Sequence, residues 1–182
     1  AVAYQDAWLT MLHAGNGGMC FIDSVELDEI YTPIIVKTRR LILDSEGAGR
    51  FRGAPGIEVE LGPVNCRMEA GFVADGNINN PKGARGGGDA ARSDQFRRRK
   101  NGKMERLDQC SQVWIEDGEM MLSIACGGGG YGNPKARDPE RVLHDVEEGL
   151  VSRKRAREIY SVSITAANKI DLNKTKELRR RK

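Results

Sequence analysis

The chain has 182 residues, 39% of them hydrophobic and 30% charged, with 22 glycines and a formal net charge of only +3. That is long enough for one domain with a real core and too apolar for a disordered chain. No apolar run approaches the ~20 residues that cross a bilayer and no signal peptide is visible, so a cytoplasmic protein without a membrane segment is expected.

In chain order, Met19–Ile22 and Ile34–Leu43 are rich in Ile, Val and Leu and read as strands. Between them, the acidic stretch Asp23–Glu29 reads as a solvated strand edge or a helix turn. Ser45–Gly56 (SEGAGRFRGAPG) is a glycine-punctuated connection. Ile57–Leu61 alternates strictly, as a half-buried strand does, and so do Met68, Ala70, Phe72 and Ala74. Asp75–Gly88 is a turn-forming loop, and Asp89–Asp108 is polar, with a hairpin expected to turn at Asn101-Gly102. Val113–Glu116 and Glu119–Cys126, joined by Asp117-Gly118, read as strand, turn, strand.

After the glycine run the pattern turns helical. Asp138 is an N-cap, Pro139 suits the first helical position, and Val142, Leu143, Val146 and Leu150 mark one face. Gly149 fits a C-cap, and Ser152 caps a second helix reaching about Glu158. Tyr160–Thr165 reads as a strand and Leu172–Arg181 as a last helix. The fold class expected is α+β: a mainly antiparallel β body, sandwich- or barrel-like, with short C-terminal helices. It forms one domain over 1–182, with residues 1–12 as an N-terminal extension and 166–182 as a basic tail.

Few residues suggest chemistry. Cys20, Cys66, Cys110 and Cys126 are widely spaced without a C-x-x-C pair, which argues for free thiols rather than zinc. The RRRK clusters at Arg97–Lys100 and Arg179–Lys182 have no interleaved aromatics, which argues against nucleic acid. Gly127, Gly128, Gly129 and Gly130 lack the following lysine of a phosphate-binding P-loop, and Pro134 separates them from the next helix. A structural turn that permits close backbone packing is the reading preferred. In GAGRFRG, alternation would point Arg50 and Arg52 one way and Phe51 the other. The two arginines would then bind a carboxylate or phosphate, or form salt bridges that hold the loop. His13 and His144 are the only histidines, and no partner group can be named for either.

DSEGAGRFRGAPG (Asp44–Gly56), DGNINNPKGARGG (Asp75–Gly87) and GGGGYGNPKARDPERVLHDVEEGLVSRKRAREIYSV (Gly127–Val162) occur in that order. They resemble the C-terminal region of the hydantoinase B/oxoprolinase family, with DSVELDE (Asp23–Glu29) similar to a further family segment. Glu46 and Ala54 stand where the family's pattern has glycines, and Ala125-Cys126 where it has a more polar pair. The resemblance implies part of an ATP-dependent amidohydrolase that opens hydantoin, 5-oxoproline or other lactam rings with an A-type ATPase subunit. The alternatives are a subunit of an acetone- or acetophenone-type ketone carboxylase, a non-catalytic binding module, and a small independent hydrolase using His13.

The resemblance further implies that ATP and Mg2+ sit on the partner subunit and that a divalent metal belongs to the N-terminal part of a B-type subunit. The chain, a split subunit or a piece of a longer one, is then expected to work in a hetero-oligomer and to be inactive alone. No catalytic, cofactor or metal residue is assigned to it. Arg50, Arg52, Asp75, Gly127, Gly128, Gly129 and Gly130 are the candidates for lining a cleft or holding the loops. Apolar residues near the start, Ala7-Trp8-Leu9 and Met11-Leu12, are the expected assembly surface, with Trp8 its anchor.

Overall fold

A computed structural model describes residues 1–7 and 24–180. The strand expected at Met19–Ile22, His13, Cys20 and the patch from Trp8 to Leu12 lie outside these residues. The strands are β1 (Ile34–Leu41), β2 (Ile57–Pro63), β3 (Met68–Val73), β4 (Asp94–Arg98), β5 (Met104–Arg106), β6 (Cys110–Ile115) and β7 (Met120–Ile124). The helices are α1 (Val25–Tyr31), α2 (Pro139–Glu147), α3 (Arg153–Glu158) and α4 (Leu172–Arg180). All strand pairings are antiparallel. They build an open five-stranded sheet in the order β1-β2-β7-β4-β5 and a two-stranded sheet, β3-β6. The body is α+β as expected, but its sheets are open and no barrel closes among the described residues.

The local reasoning accounts for most elements. Asn101 and Gly102 do form the turn between β4 and β5. The Asp138 side chain accepts from the Glu140 N–H and that of Ser152 from the Arg155 N–H, so both helix starts are capped as their sequences require. The acidic stretch is a helix, with Ser24 accepting from the Leu27 N–H.

Two expectations fail. Asp117-Gly118 does turn the chain, but β6 and β7 do not pair across it. β6 joins β3, while β7 enters the middle of the large sheet between β2 and β4. Tyr160–Thr165 is not a strand. Its alternating residues Tyr160 and Val162 point into the core, fully buried, while the backbone is held by non-strand groups: the Val162 N–H donates to the Ala156 carbonyl and the Ser163 N–H to the Thr175 hydroxyl. A backbone satisfied in this way needs no sheet neighbour.

The main apolar core lies under the helices rather than under the large sheet. Ala48, Val142, Val151, Ala156, Tyr160 and Val162 form it, with Val146, Ile164 and Ile170 packed against them. In β2 the most buried side chain of the alternating stretch is polar. Glu60 lies beneath Arg98, whose Nε is 2.5 Å from its carboxylate, with Lys37 at 3.8 Å.

Candidate functional site

The glycine run is the middle of three backbone segments that share hydrogen bonds. Gly128 donates to the Ala54 carbonyl at 2.8 Å, Gly130 to Gly88 at 3.0 Å, Tyr131 to Phe51 at 2.9 Å and Gly132 to Ala84 at 2.9 Å. In return the Gly47 N–H donates to Gly128 at 2.8 Å and that of Ala84 to Gly130 at 2.9 Å. The segments approach so closely that side chains are excluded. A Cβ on Gly53 would stand 1.6 Å from the Gly128 carbonyl oxygen, and one on Gly130 2.1 Å from that of Ala48. The run is therefore a packing element, and its amides at 128, 130, 131 and 132 are occupied by backbone carbonyls. A phosphate would have to displace them, so these four amides are not free to cradle a nucleotide.

Beside this lattice lies a buried ionic hub. Arg52, Arg137 and Asp145 are almost fully buried. Arg52 Nε is 2.7 Å from Asp145 Oδ1, and Arg137 Nη2 is 2.8 Å from Asp145 Oδ2, so one carboxylate of α2 holds both guanidinium groups. Arg137 also grips Asp6 with both ends, at 2.7 and 2.9 Å, and donates to the Arg50 carbonyl at 3.2 Å. The Arg52 N–H donates to Asp6 at 2.8 Å, and its Nη1 to the carbonyls of Ala7 and Gly53, each at 3.1 Å. The hub thus ties residues 1–7, the 45–56 loop and α2 together. An adjoining cleft of about 360 Å3 is lined by these residues with Tyr4, Gln5, Arg141 and the exposed His144.

A second buried cluster surrounds Glu46. Glu46 accepts from Arg155 Nε at 2.8 Å and from the Tyr160 hydroxyl at 2.9 Å. Burial raises the Glu46 carboxyl above its ordinary value despite the Arg155 guanidinium beside it, and burial together with Glu46 raises the Tyr160 phenol. Glu46 is therefore matched by two partners, Arg155 of α3 and Tyr160 just beyond that helix.

Of the candidates read from the sequence, only Arg52 enters the hub with its side chain. Arg50 and Arg52 do not share a direction: Arg52 turns inward to Asp145, while Arg50 is exposed, with its guanidinium 5.5 Å from the Phe51 ring. The segment is an irregular loop with a single bridge at Phe51, so strand alternation does not govern it. Asp75 is exposed and accepts from the Asn79 side chain at 2.9 Å, apart from both clusters. Asp6, Arg137 and Asp145 were missed. One signal was present: Asp145 lies three residues beyond Val142, on the apolar face of α2, where an acid needs a buried partner.

Chemically the hub is a positioning device. Burial alone would raise the Asp6 carboxyl, but the Arg137 guanidinium, with help from Arg52, holds it below the ordinary carboxylate range, a poor general base. A carboxyl depressed on folding stabilises the fold above its unfolded value, near 3.8, and that contribution is lost as pH falls through the lower folded value. Asp6→Asn is thus expected to flatten the acid limb of a pH–stability curve below about pH 4. Denaturant midpoints measured from pH 2 to 6 on both proteins check it, and an unchanged acid limb would count against the pairing.

Among the described residues no group of three or more His, Cys, Asp and Glu could hold a metal ion. The divalent metal that the resemblance implies has no fitting ligand set among them. No helix of these residues is long and apolar enough to cross a membrane.

Comparison with known proteins agrees with this architecture. The chain is 32% identical to caprolactamase subunit beta of Pseudomonas jessenii over 158 residues, covering 85% of this chain and 27% of that protein. The crystal structure of the ATP-dependent caprolactamase from Pseudomonas jessenii superposes with a TM-score of 0.69 at 27% identity, covering 86% of this chain and 28% of the other. A nucleotide-free structure of acetone carboxylase, from work on ATP-dependent acetone carboxylation, shares the fold with a TM-score of 0.79 at 23% identity, covering 98% of this chain and 28% of that one. The chain therefore spans little more than a quarter of these relatives' length. Residues 1–134 match the family described as hydantoinase B/oxoprolinase, and with the glycine lattice and helical segment in place the chain belongs to that family.

Proposed function

We propose that this chain is the structural closing part of a B-type subunit in an ATP-dependent cyclic-amide hydrolase. In this reading it acts with an A-type ATPase subunit that carries ATP and Mg2+, and with the remaining B-type portion, which carries the metal. The observation that supports it is the 32% identity to caprolactamase subunit beta over 85% of the chain. The substrate class is a cyclic amide such as a lactam, hydantoin or 5-oxoproline. The likeness to acetone carboxylase, one of fold, supports a second reading as a subunit of a ketone carboxylase.

The role of the chain in this reading is to hold backbone segments in register, with the Arg52–Asp145–Arg137 hub fixing how residues 1–7 and α2 sit against the glycine lattice. The test is reconstitution with the A-type subunit and the remaining B-type portion. ATP-dependent ring opening that needs all the parts supports the proposal. Acetone carboxylation in its place supports the second reading, and full ring-opening activity without this chain overturns both. The chain alone is expected to show neither micromolar affinity for Mg-ATP by calorimetry nor ATP hydrolysis, because the lattice spends its amides on carbonyls; a micromolar Kd would refute that.

A further inference from the structure

Helix α1 has seven residues and buries none of them. So short a helix is unstable by its own hydrogen bonds and needs an apolar face packed against something. Its visible attachments are polar: Glu29 accepts from the Val36 N–H at 2.8 Å, and Asp28 lies 3.5 Å from Arg39. Both lie at exposed positions, where such contacts contribute little. They do fix the orientation of α1, whose carboxylates engage the edge strand β1.

The exposed apolar residues of α1 are Leu27, Ile30 and Tyr31, at i, i+3 and i+4, which places them on one helical face, while Val25 is half-buried. They are 42%, 73% and 80% exposed. Ile35 of β1 and Val64, whose N–H donates to the Pro33 carbonyl, are also exposed and extend the apolar surface around the helix–strand junction. A stripe of this kind at helical spacing is an interaction surface. β1 itself carries Lys37, Arg39 and Arg40, and charges on an edge strand oppose pairing with a second copy of the same edge.

The occupant follows from the length of the relatives. Acetone carboxylase holds the fold of 98% of this chain within a polypeptide of which the match covers 28%, and in caprolactamase subunit beta the match covers 27%. In both, a unit of this shape lives beside a much larger part of the same subunit. We propose that the Leu27–Ile30–Tyr31 face of α1 is the docking surface for the remaining portion of a B-type subunit, which accepts the stripe in an apolar groove. This rests on the assignment to a B-type subunit made above.

The test joins this chain to the remaining B-type portion supplied as a separate polypeptide, and compares wild type with Ile30→Asp/Tyr31→Ser. Because neither residue is buried, far-UV circular dichroism and the unfolding midpoint of the isolated chain should not change. Affinity for the B-type portion should fall by about 30-fold or more, as for central interface residues. Val73→Ser, at an 80% exposed position on the small sheet, should leave it unchanged. Hydrogen exchange at α1 should slow on complex formation. Three results overturn the inference: equal binding by the double variant, unchanged exchange at α1, or a stripe-dependent homodimer or A-type complex instead. If the variant still assembles and supports ring opening, only the docking surface is wrong. If wild type forms no complex and no ring opening is reconstituted, the B-type assignment falls as well.

Discussion

Gly53→Ala is expected to abolish cooperative folding. The new methyl carbon would be 1.6 Å from the Gly128 carbonyl oxygen and 2.3 Å from its carbonyl carbon. Both are backbone atoms of a segment hydrogen-bonded to Ala54 and to Gly47, so neither can swing aside as a side-chain tip could. Relief requires separating two strips of main chain and leaving buried amides and carbonyls without partners. The cost is put at about 4 kcal/mol or more, at the upper end for single substitutions and a large share of a typical domain's stability. Gly71→Ala is the control, because a Cβ there meets nothing within 4 Å. Thermal unfolding followed by circular dichroism decides it: a Gly53→Ala protein that melts like Gly71→Ala would show that the lattice is not tightly packed in solution.

Asp145→Ala has the second largest expected effect. It removes the one carboxylate shared by Arg52 and Arg137 and leaves two buried guanidinium groups short of a counter-charge. Breaking one side of a buried ion pair typically costs about 3–5 kcal/mol, because the remaining charge cannot recover its hydration. Arg137 keeps Asp6 as a partner, so the loss should lie nearer the lower figure. Arg40→Ala, which removes a largely exposed partner of Glu58, should leave the denaturant midpoint where it is. Equal midpoints for the two variants would mean that the hub contributes no net stability.

The legible parts of the fold were those whose signals are local. Alternation from Ile57 to Leu61 identified β2, and Asp138, Pro139 and Ser152 marked two helix starts because a cap is a contact between residues close in sequence. Sheet membership was not legible. Nothing near Asp117-Gly118 states that β7 will pair with β2, and the choice depends on which edges are vacant once the other strands have paired. The hub was obscured for the same reason. Arg52 and Asp145 are 93 positions apart, and a charged side chain met singly in sequence has a solvated face as its default. The glycine run lay between these cases: its composition announced a special backbone, but only the positions of residues 45–56 and 82–88 show what the backbone approaches.

The central place of β7 also bears on how the chain folds as it is synthesised. β1 and β2 can pair as soon as both exist, and so can β4 and β5, since each pair is close in sequence. The two hairpins share no strand pairing until Met120–Ile124 arrives and pairs with both, and the glycine run follows directly behind it. Until then the inner edges of β2 and β4 are open templates for pairing with another chain. β7 is a keystone delivered last, so the rate-limiting event should be a long-range closure. A chain halted before Met120 would retain two finished hairpins, no sheet to join them, and a strong tendency to aggregate.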